Sequence, residues 1–393
     1  DVTIEIDFGA DWNWFSINLI GDDMSLNTVL GFAGWEYGDY IKAQSGFATY
    51  YGDPNDGGYG WQGTLTAISL VKGYKLQLGS ANEFSFSGSP VDPADYPTNL
   101  AAGWNWIGYT PQGILDINTG LASISNGSYI KSQSEGFSTY YGDPNDGGYG
   151  WQGTMGHLKP GLMYMLQMDA SDVLTYPSSD LGRTGNMDNA TEPSFDYKQF
   201  EYNGSIVASV DIEGLVLSDR DKLVAYLNGE IRGETSPMLF SPTETYVFPL
   251  MTYGAAEEYS KLSFEYYNAS NDSYYEIEQK IQFTSDMIIG DGLNPMLMTE
   301  VSTETPQTFS LDTPYPNPFN PTTTINYVVG NEGFVNVIVY DISGRVIDNL
   351  VNEYQAQGEY SVVWNARSLP SGLYFVRLNA DGYSDMQKLM LVK

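Results

Sequence analysis

Apolar and polar residues alternate along most of this chain. Residues 2–8 and 205–212 place apolar side chains at every second position, and residues 276–281 follow the same alternation with Gln279 at the middle position. A period of two puts those side chains on one face of an extended strand, so the segments predict half-buried β-strands. Helical spacing is confined to two short segments, residues 27–33 and 114–123. The pattern predicts an all-β protein made of several antiparallel sandwich- or barrel-like domains in tandem.

The first half of the chain contains an internal repeat. Residues 49–64 recur letter for letter as residues 139–154, at a spacing of 90. A period of that size is typical of a small domain and is too long for a solenoid repeat. The repeat predicts two duplicated N-terminal modules, which we name module 1 (residues 1–90) and module 2 (residues 91–178).

Three segments rich in Pro, Ser, Thr and Asp separate the predicted domains. Residues 81–103 connect the two repeats, and residues 179–194 and 303–310 form linkers. Between the linkers, residues 195–302 carry six or seven alternating segments, the pattern of an immunoglobulin-like antiparallel sandwich. Residues 311–393 form the last predicted domain.

The charge balance narrows the choice of partners. The chain has 49 Asp and Glu against 17 Lys and Arg, which gives a formal net charge of −32. Such a chain repels phosphate backbones, so nucleic acid is excluded as a partner. No apolar segment is long enough for a membrane-spanning helix, so the protein is not expected to span a membrane. An acidic surface favours solubility and can also collect divalent cations.

The residues needed for most enzyme chemistry are missing. The sequence has no Cys and one His, His157, whose counterpart in module 1 is Ala67. A catalytic base required in a duplicated site would occur in both copies, so His157 is expected to be a surface residue. Thiolate chemistry and multi-histidine metal sites are excluded, and no catalytic or nucleotide-binding motif is present. We therefore expect a protein without enzymatic activity.

The repeated segment is the strongest candidate for a functional site. It combines acidic, amide and aromatic side chains around an Asn-Asp-Gly-Gly sequence. The candidate metal ligands are its oxygen-bearing side chains, namely Asp53, Asn55, Asp56, Asp143, Asn145 and Asp146. The candidate ligand-binding residues are its aromatic side chains, namely Tyr50, Tyr51, Tyr59, Trp61, Tyr140, Tyr141, Tyr149 and Trp151.

Three interpretations of this segment remain open. The oxygen ligands suit calcium, although glycine comes one position earlier than in an EF-hand loop and no glutamate follows at its twelfth position. The aromatic faces beside Asp and Asn suit stacking and hydrogen bonding to a sugar. The third interpretation is structural: Asn-Asp-Gly-Gly is a hairpin turn, and the aromatic residues are its packing neighbours.

The end of the chain carries a set of ordered landmarks. They run from a proline-rich opening, through turn glycines and two aromatic positions, to a basic C-terminus, and consist of Pro316, Asn317, Pro318, Gly344, Gly358, Trp364, Gly372, Tyr374, Lys388 and Lys393. In this order and spacing, residues 311–393 closely resemble the type A C-terminal sorting domain of the type IX secretion system. The resemblance implies a seven-stranded sandwich, recognition by the type IX secretion machinery, and a location outside the cell or on the outer surface of a Gram-negative bacterium.

The N-terminal modules resemble a repeat of the same class of secreted proteins. The resemblance rests on Gly-Trp-Asn-Trp-Ile at residues 103–107 and on the Gly-Tyr that opens a closing strand at residues 73–74. It implies no particular ligand. The function we predict is that of a structural subunit in an extracellular filament or surface assembly, with self-association into a homopolymer. The alternative is an adhesin that binds surface glycans through the repeated segment.

One contact mode for such a polymer is visible in the sequence. Residues 2–8 alternate at a free end, and an exposed strand can complete the sheet edge of another molecule. Repeated head-to-tail contacts of that kind form an open filament. The alternative is that residues 2–8 pair within module 1.

Overall fold

The protein is almost entirely β-structure. The computed structural model describes residues 2–178, 194–301, 309–380 and 382–393. These residues form 33 strands and two short α-helices, which confirms the all-β prediction. The chain divides into two compact units, residues 1–301 and 302–393, and each is described by itself. Most of the two predicted linkers lies outside the described residues.

Module 1 consists of two sheets and one helical turn, α1 (Leu26–Leu30). Its strands are β1 (Val2–Phe8), β2 (Asp11–Phe15), β3 (Leu19–Ile20), β4 (Tyr40–Lys42), β5 (Phe47–Tyr50), β6 (Trp61–Gly63), β7 (Tyr74–Leu78) and β8 (Asn82–Pro90). One sheet has the strand order β2-β7-β4-β5-β6, and the other has the order β1-β8-β3. Side chains from both sheets, including Phe15, Leu76 and Phe84, share one hydrophobic core.

Module 2 has the same central sheet. Its strands are β9 (Thr98–Leu100), β10 (Gly103–Ile107), β11 (Leu115–Asp116), β12 (Gly127–Lys131), β13 (Phe137–Tyr140), β14 (Trp151–Gly153), β15 (His157–Leu158), β16 (Tyr164–Met168) and β17 (Asp172–Leu174), and its helix is α2 (Ile117–Gly120). The order β10-β16-β12-β13-β14 repeats that of module 1, strand for strand. The pairs β9–β17 and β11–β15 form two small additional sheets.

The region after module 2 in the first unit is a sandwich of nine strands, more than the six or seven predicted. They are β18 (Tyr202–Asp211), β19 (Lys222–Leu227), β20 (Glu230–Thr235), β21 (Met238–Phe240), β22 (Thr245–Gly254), β23 (Glu257–Asn268), β24 (Ser273–Thr284), β25 (Ile288–Ile289) and β26 (Met296–Thr299). One sheet has the order β21-β22-β18-β25, with β26 also paired to β18, and the other has the order β20-β19-β23-β24. Ile206, Phe248 and Phe264 lie in its core.

The second unit contains the seven strands expected of the last domain. They are β27 (Ser310–Leu311), β28 (Thr322–Val329), β29 (Gly333–Asp341), β30 (Val346–Gln355), β31 (Gly358–Asn365), β32 (Gly372–Ala380) and β33 (Tyr383–Leu391). They form a sheet of order β27-β28-β31 and a sheet of order β30-β29-β32-β33. Alternate residues of β28, β29 and β32 are buried, as the period of two predicts.

The prediction that residues 81–103 merely connect the repeats was wrong. The segment forms β8 and β9, and β8 pairs with both β1 and β3. Phe84 and Phe86, each buried, alternate with serines along β8. The segment is rich in serine, glycine and proline, which are typical of turns, so its short alternation was overlooked. Burial of two aromatic rings on one side is nevertheless enough to orient the strand.

The N-terminal strand is not free. Strand β1 pairs with β8 along its whole length, from Val2 opposite Gly88 to Phe8 opposite Asn82. Phe8 is buried in the core of module 1, with its ring 5.0 Å from that of Phe15. The prediction that residues 2–8 complete the sheet of another molecule was therefore wrong, and the alternative, pairing within module 1, is what the structure shows.

Two further expectations can be compared with the structure. His157, expected at the surface, is half-buried in β15, where it lies opposite Asp116 of β11. Among the described residues, no helix has the length and apolar character that crossing a membrane requires.

Candidate functional site

The repeated segment forms the same turn in both modules. Between β5 and β6, Asp53 begins a 3₁₀ turn, Pro54–Asp56, and Gly57 ends it in the left-handed region at φ 86°. The Asp53 Oδ1 atom accepts hydrogen bonds from the backbone N–H of Asn55 at 2.8 Å and from its amide at 2.9 Å. These are the bonds by which Asp stabilises a turn at its start.

The turn of module 2 has matching geometry. Asp143 accepts from the backbone and side chain of Asn145 at the same 2.8 and 2.9 Å. A Cβ atom at Gly148 would lie 2.3 Å from the carbonyl carbon of Gly142, so this crossing of the backbone requires glycine. The turn interpretation thus accounts for the Asp, Asn and Gly positions in both copies.

The predicted calcium ligands gain no further acidic neighbours in the fold. Among the described residues, no group of three or more acidic, histidine or cysteine side chains is arranged to hold a metal ion. Asp56, Asn55 and their counterparts Asp146 and Asn145 are exposed on the turns. Calcium binding by the two turns remains a prediction.

Several of the predicted ligand-binding aromatic residues lie inside the modules. Tyr50 and Trp61 are 2% and 3% exposed, and their rings pack 5.3 Å apart in the core of module 1. Trp151 is likewise buried, with its ring 5.2 Å from that of half-buried Tyr140. Tyr50, Trp61 and Trp151 therefore cannot present a ring face to a ligand, and their assignment as ligand-binding residues was wrong.

The remaining aromatic residues lie in different surroundings in the two copies. In module 2, the Tyr141 hydroxyl accepts a hydrogen bond of 2.6 Å from the backbone N–H of Gly292, and its ring lies 5.2 Å from Phe240 of the sandwich. Phe137, at the start of β13, is only 2% exposed and belongs to one apolar cluster with Val207 and Phe240. Module 2 therefore uses this surface to pack against the sandwich.

In module 1 the same surface faces solvent. Phe47, the counterpart of Phe137, is 47% exposed, and Tyr51, the counterpart of Tyr141, is 37% exposed. Tyr59 and Tyr37 are exposed to an even greater extent, and the ring of Tyr37 meets that of Tyr51 edge-on at 5.5 Å. We call this surface, formed by Tyr37, Phe47, Tyr51 and Tyr59, the module 1 face.

The two modules meet through reciprocal contacts. The side chain of Gln44 in module 1 donates to Trp104 O at 2.6 Å and accepts from Trp106 N at 2.9 Å. Its counterpart in module 2, Gln133, bonds in the same way to Trp12 O at 2.7 Å and to Trp14 N at 2.9 Å. The junction therefore has an approximate two-fold symmetry that relates the modules to each other.

Lysines are buried among these tryptophans. Lys75 is fully buried, and its ammonium lies 4.1 Å from the Trp14 ring centre and 4.7 Å from that of Trp106. Burial lowers the pKa of Lys75 to about 7, although the nearby Asp286 carboxylate favours the charged form. No sequence pattern indicated this cluster, because contacts between the domains bring Lys75 together with tryptophans of both modules.

A second buried lysine connects module 2 to the sandwich. Lys131 Nζ donates to Asp286 Oδ1 and to Asn203 O, both at 2.7 Å. Burial lowers its pKa to about 8, and the ion pair with Asp286 opposes that shift. Lys42, the module 1 counterpart of Lys131, forms an ion pair with Glu201 of the sandwich region. The corresponding lysines of modules 1 and 2 thus both form ion pairs with this region.

In the second unit, the landmark residues have structural roles. Trp364 is 1% exposed and packs against Phe319 and Tyr374. The Asn317 side chain donates to Lys388 O at 2.7 Å and accepts from Met390 N at 2.9 Å, which fastens the proline-rich opening to the last strand.

The remaining landmarks define turns and the end of the chain. Gly344 closes the turn after β29 at φ 79°, and Gly358 opens β31. Lys393 Nζ donates to Arg367 O at 2.8 Å. Pro316, Pro318 and Gly372 are at least partly exposed. These residues shape the domain, and the structure assigns no chemistry to them.

Comparisons with known proteins bear chiefly on this second unit. Residues 313–393 match the family described as secretion system C-terminal sorting domain. No curated protein matches the chain. Among solved structures, the crystal structure of dimeric latent PorU from Porphyromonas gingivalis is similar at 13% identity and a TM-score of 0.18, over 80% of this chain and 36% of that one.

A second solved structure is a mutant of Salmonella alpha-2-macroglobulin. It is 9% identical with a TM-score of 0.17, over 99% of this chain and 26% of that one. The chain therefore spans about a third or less of the length of either protein, and at these scores neither structure informs its function. The family match agrees with the landmark residues: residues 313–393 are a type IX C-terminal sorting domain, and the protein is a secreted cargo of that system.

Proposed function

We propose that this cargo protein is a non-enzymatic structural subunit of an extracellular assembly. In this proposal the module 1 face contacts a neighbouring copy of the chain. One observation carries the proposal: an identical sixteen-residue segment packs against protein in module 2 and faces solvent in module 1. Tyr141 and Phe137, the counterparts of Tyr51 and Phe47, are thus already part of a protein contact in this molecule.

The exposed copy has the composition of a contact surface. Aromatic side chains are enriched in the buried centres of protein interfaces, and four of them form the module 1 face. Completing the burial of half-exposed Phe47 stabilises a contact by about 1 kcal/mol. The net charge of −32 makes copies repel each other, so added salt should strengthen association by screening.

The proposal is tested on the purified whole chain with the variant Phe47→Asp. We expect the native chain to form large assemblies in roughly 0.5 M salt, and we expect Phe47→Asp to remain monomeric, because a carboxylate cannot be buried in an apolar contact without a large cost. Light scattering after size-exclusion chromatography measures the mass, and negative-stain electron microscopy shows the form of the assembly.

A matched control is available in the sorting domain. Phe334 is 48% exposed, nearly the same as Phe47, so Phe334→Asp places the same charge on a surface outside the module 1 face. We expect this control to assemble like the native chain. Assembly by Phe47→Asp to the native extent, or a native chain that is monomeric at all salt concentrations, contradicts the proposal.

A glycan-binding adhesin is the second candidate. The observation that favours it is the exposure of Tyr37 and Tyr59, 77% and 74%, next to the amide and carboxylate side chains of the turn. Exposed ring faces beside polar groups suit a sugar. Binding of the whole chain to immobilised glycans that Tyr59→Ser abolishes and Tyr149→Ser preserves would favour the adhesin over the assembly subunit.

A further inference from the structure

The junction between the modules encloses a cleft that the repeated segment does not reach. Its volume is about 550 Å³, within the range of small-molecule sites. Module 1 contributes Gln44, Ser45 and the segment 71–73 to its wall, and module 2 contributes β9 and the segment 105–107. The cleft lies beside the approximate two-fold axis. Its lining residues can therefore be compared with the residues at the symmetry-related positions on the opposite side of the axis.

The opposite side carries apolar residues at the corresponding positions. Offsets of 90 and 92 in the repeat pair Lys72 with Leu162, Gly73 with Met163 and Thr98 with Ile6. Met163 is fully buried, and the Ile6 side chain packs against Gly161, within 3.8 Å of the position of a Cβ atom there. Trp14 is accordingly buried on that side, whereas its counterpart Trp106 is half-buried in the wall of the cleft.

The open side is thus polar where its counterpart is apolar. Thr98 is 8% exposed, and its hydroxyl has no hydrogen-bond partner within the described residues. Leaving a buried hydroxyl unpaired costs about 1–3 kcal/mol. An isoleucine occupies the corresponding position in module 1 at no such cost, so packing alone does not explain the threonine.

We propose that this cleft binds a neutral sugar, as a one- or two-residue portion of a glycan. The indole of Trp106 supplies a stacking surface, and in this proposal the Thr98 side chain rotates so that its buried hydroxyl meets a sugar hydroxyl. Asn99 is exposed at the same wall and offers both a donor and an acceptor. This site is separate from the module 1 face and does not depend on the assembly proposed above.

The charge at the cleft fits an uncharged ligand. Its one ionisable side chain among the lining residues is that of Lys72, which is exposed at the rim. Without a second cation or a helix N-terminus among its lining residues, the cleft lacks the groups that bind phosphate. Strand β9 has a second edge that no other described strand pairs with, so an extended peptide is the competing occupant.

The test uses the full chain with maltose, cellobiose, mannobiose, lactose, digalacturonate and a Ser-Thr hexapeptide as probes. Titration calorimetry measures affinity, and tryptophan fluorescence follows the environment of Trp106. We expect at least one neutral disaccharide to bind saturably, and we expect Thr98→Val to weaken that binding by about 3- to 10-fold, the loss of one hydrogen bond. Thr98→Val should also raise the melting temperature, because it removes an unpaired buried hydroxyl.

Two controls separate the site from general effects on stability. Thr110 is also fully buried with an unpartnered hydroxyl but does not line the cleft, so Thr110→Val should stabilise the chain and leave sugar binding unchanged. Ser45→Trp should fill the cleft and abolish binding, whereas Ser134→Trp at the corresponding position should not. Saturable binding by the hexapeptide or by digalacturonate alone, binding by none of the probes, or equal affinity in Thr98→Val and the native chain would overturn the proposal.

Discussion

Lys75 and Met165 occupy the same position in the two modules, and only one of them is a lysine. Strand β7 places Lys75 between two tryptophans at the junction, and β16 places Met165 in the same apolar cluster as Trp14. Replacing a buried charge by an apolar side chain of similar volume is often neutral or stabilising. The chain therefore contains both a charged and an uncharged version of one buried position.

This pair of positions leads to a prediction about pH. The folded pKa of Lys75 is about 7, below the ordinary value of 10.5, so the folded state disfavours the charged form. The resulting cost is fully present below pH 7 and disappears as the pH rises towards 10.5. We expect the free energy of unfolding, measured by urea denaturation, to rise between pH 7 and pH 9.5, and we expect Lys75→Met to reduce that rise.

At pH 7, Lys75→Met should be neutral or stabilising by about 1–3 kcal/mol. Lys72→Met is the control, because Lys72 is exposed and lies three positions away in sequence, and it should retain the native pH dependence. A Lys75→Met variant that loses stability at pH 7 and keeps the full rise would show that the ammonium is needed at the junction.

Turns are the elements on which the calcium prediction depends. If the two turns bind calcium only in the folded state, the ion adds RT ln(1 + [L]/Kd) to the free energy of unfolding, and chelation lowers the melting temperature. The double variant Asp53→Asn, Asp143→Asn retains an acceptor for the turn hydrogen bonds but removes two charges. We expect calcium to raise the melting temperature of the native chain but not that of this variant, as measured by calorimetry. Identical native melting curves with calcium and with chelator would leave the turns without a metal.

Strands were predictable from sequence where one face is buried, because apolar and polar residues then alternate along the segment. The alternating residues 2–8 and 276–281 lie in β1 and β24 as predicted, whereas β8 was missed although Phe84 and Phe86 are buried. Its intervening residues are serines and glycine, which also occur in turns. Because the segment is short and rich in turn residues, it was predicted to be a connection, although two aromatic residues alternate along it.

The candidate site was predictable in position but not in orientation. The repeat singled out the right segment, and its turn chemistry follows from Asp, Asn and Gly. Which rings point inward depends on the core of each module, and whether Phe47 or Phe137 is covered depends on the position of the sandwich. Neither is a local property of the sequence, so identical letters gave two different surfaces.

At the scale of the whole molecule, the presence of the sorting domain leads us to predict that export depends on it. Removing residues 311–393 should leave the remaining chain in the periplasm, because the targeting information lies in this domain. Cell fractionation and surface labelling measure the distribution, and the full-length chain is the control. Surface display of the shortened chain at the native level would show that other residues direct export.

The exchange of bonds between Gln44 and Gln133 has an evolutionary consequence. An interface that uses the same residues on both sides is the kind that two identical chains form around a two-fold axis. A single ancestral module with this glutamine would have formed a homodimer through the same interface. Joining the copies in one polypeptide raises their effective concentration and keeps the pair together without a concentration requirement. Once joined, the two copies can also diverge in sequence. One side of the axis is therefore filled by Met163 and Ile6, while the other side forms the cleft lined by Thr98 and Trp106.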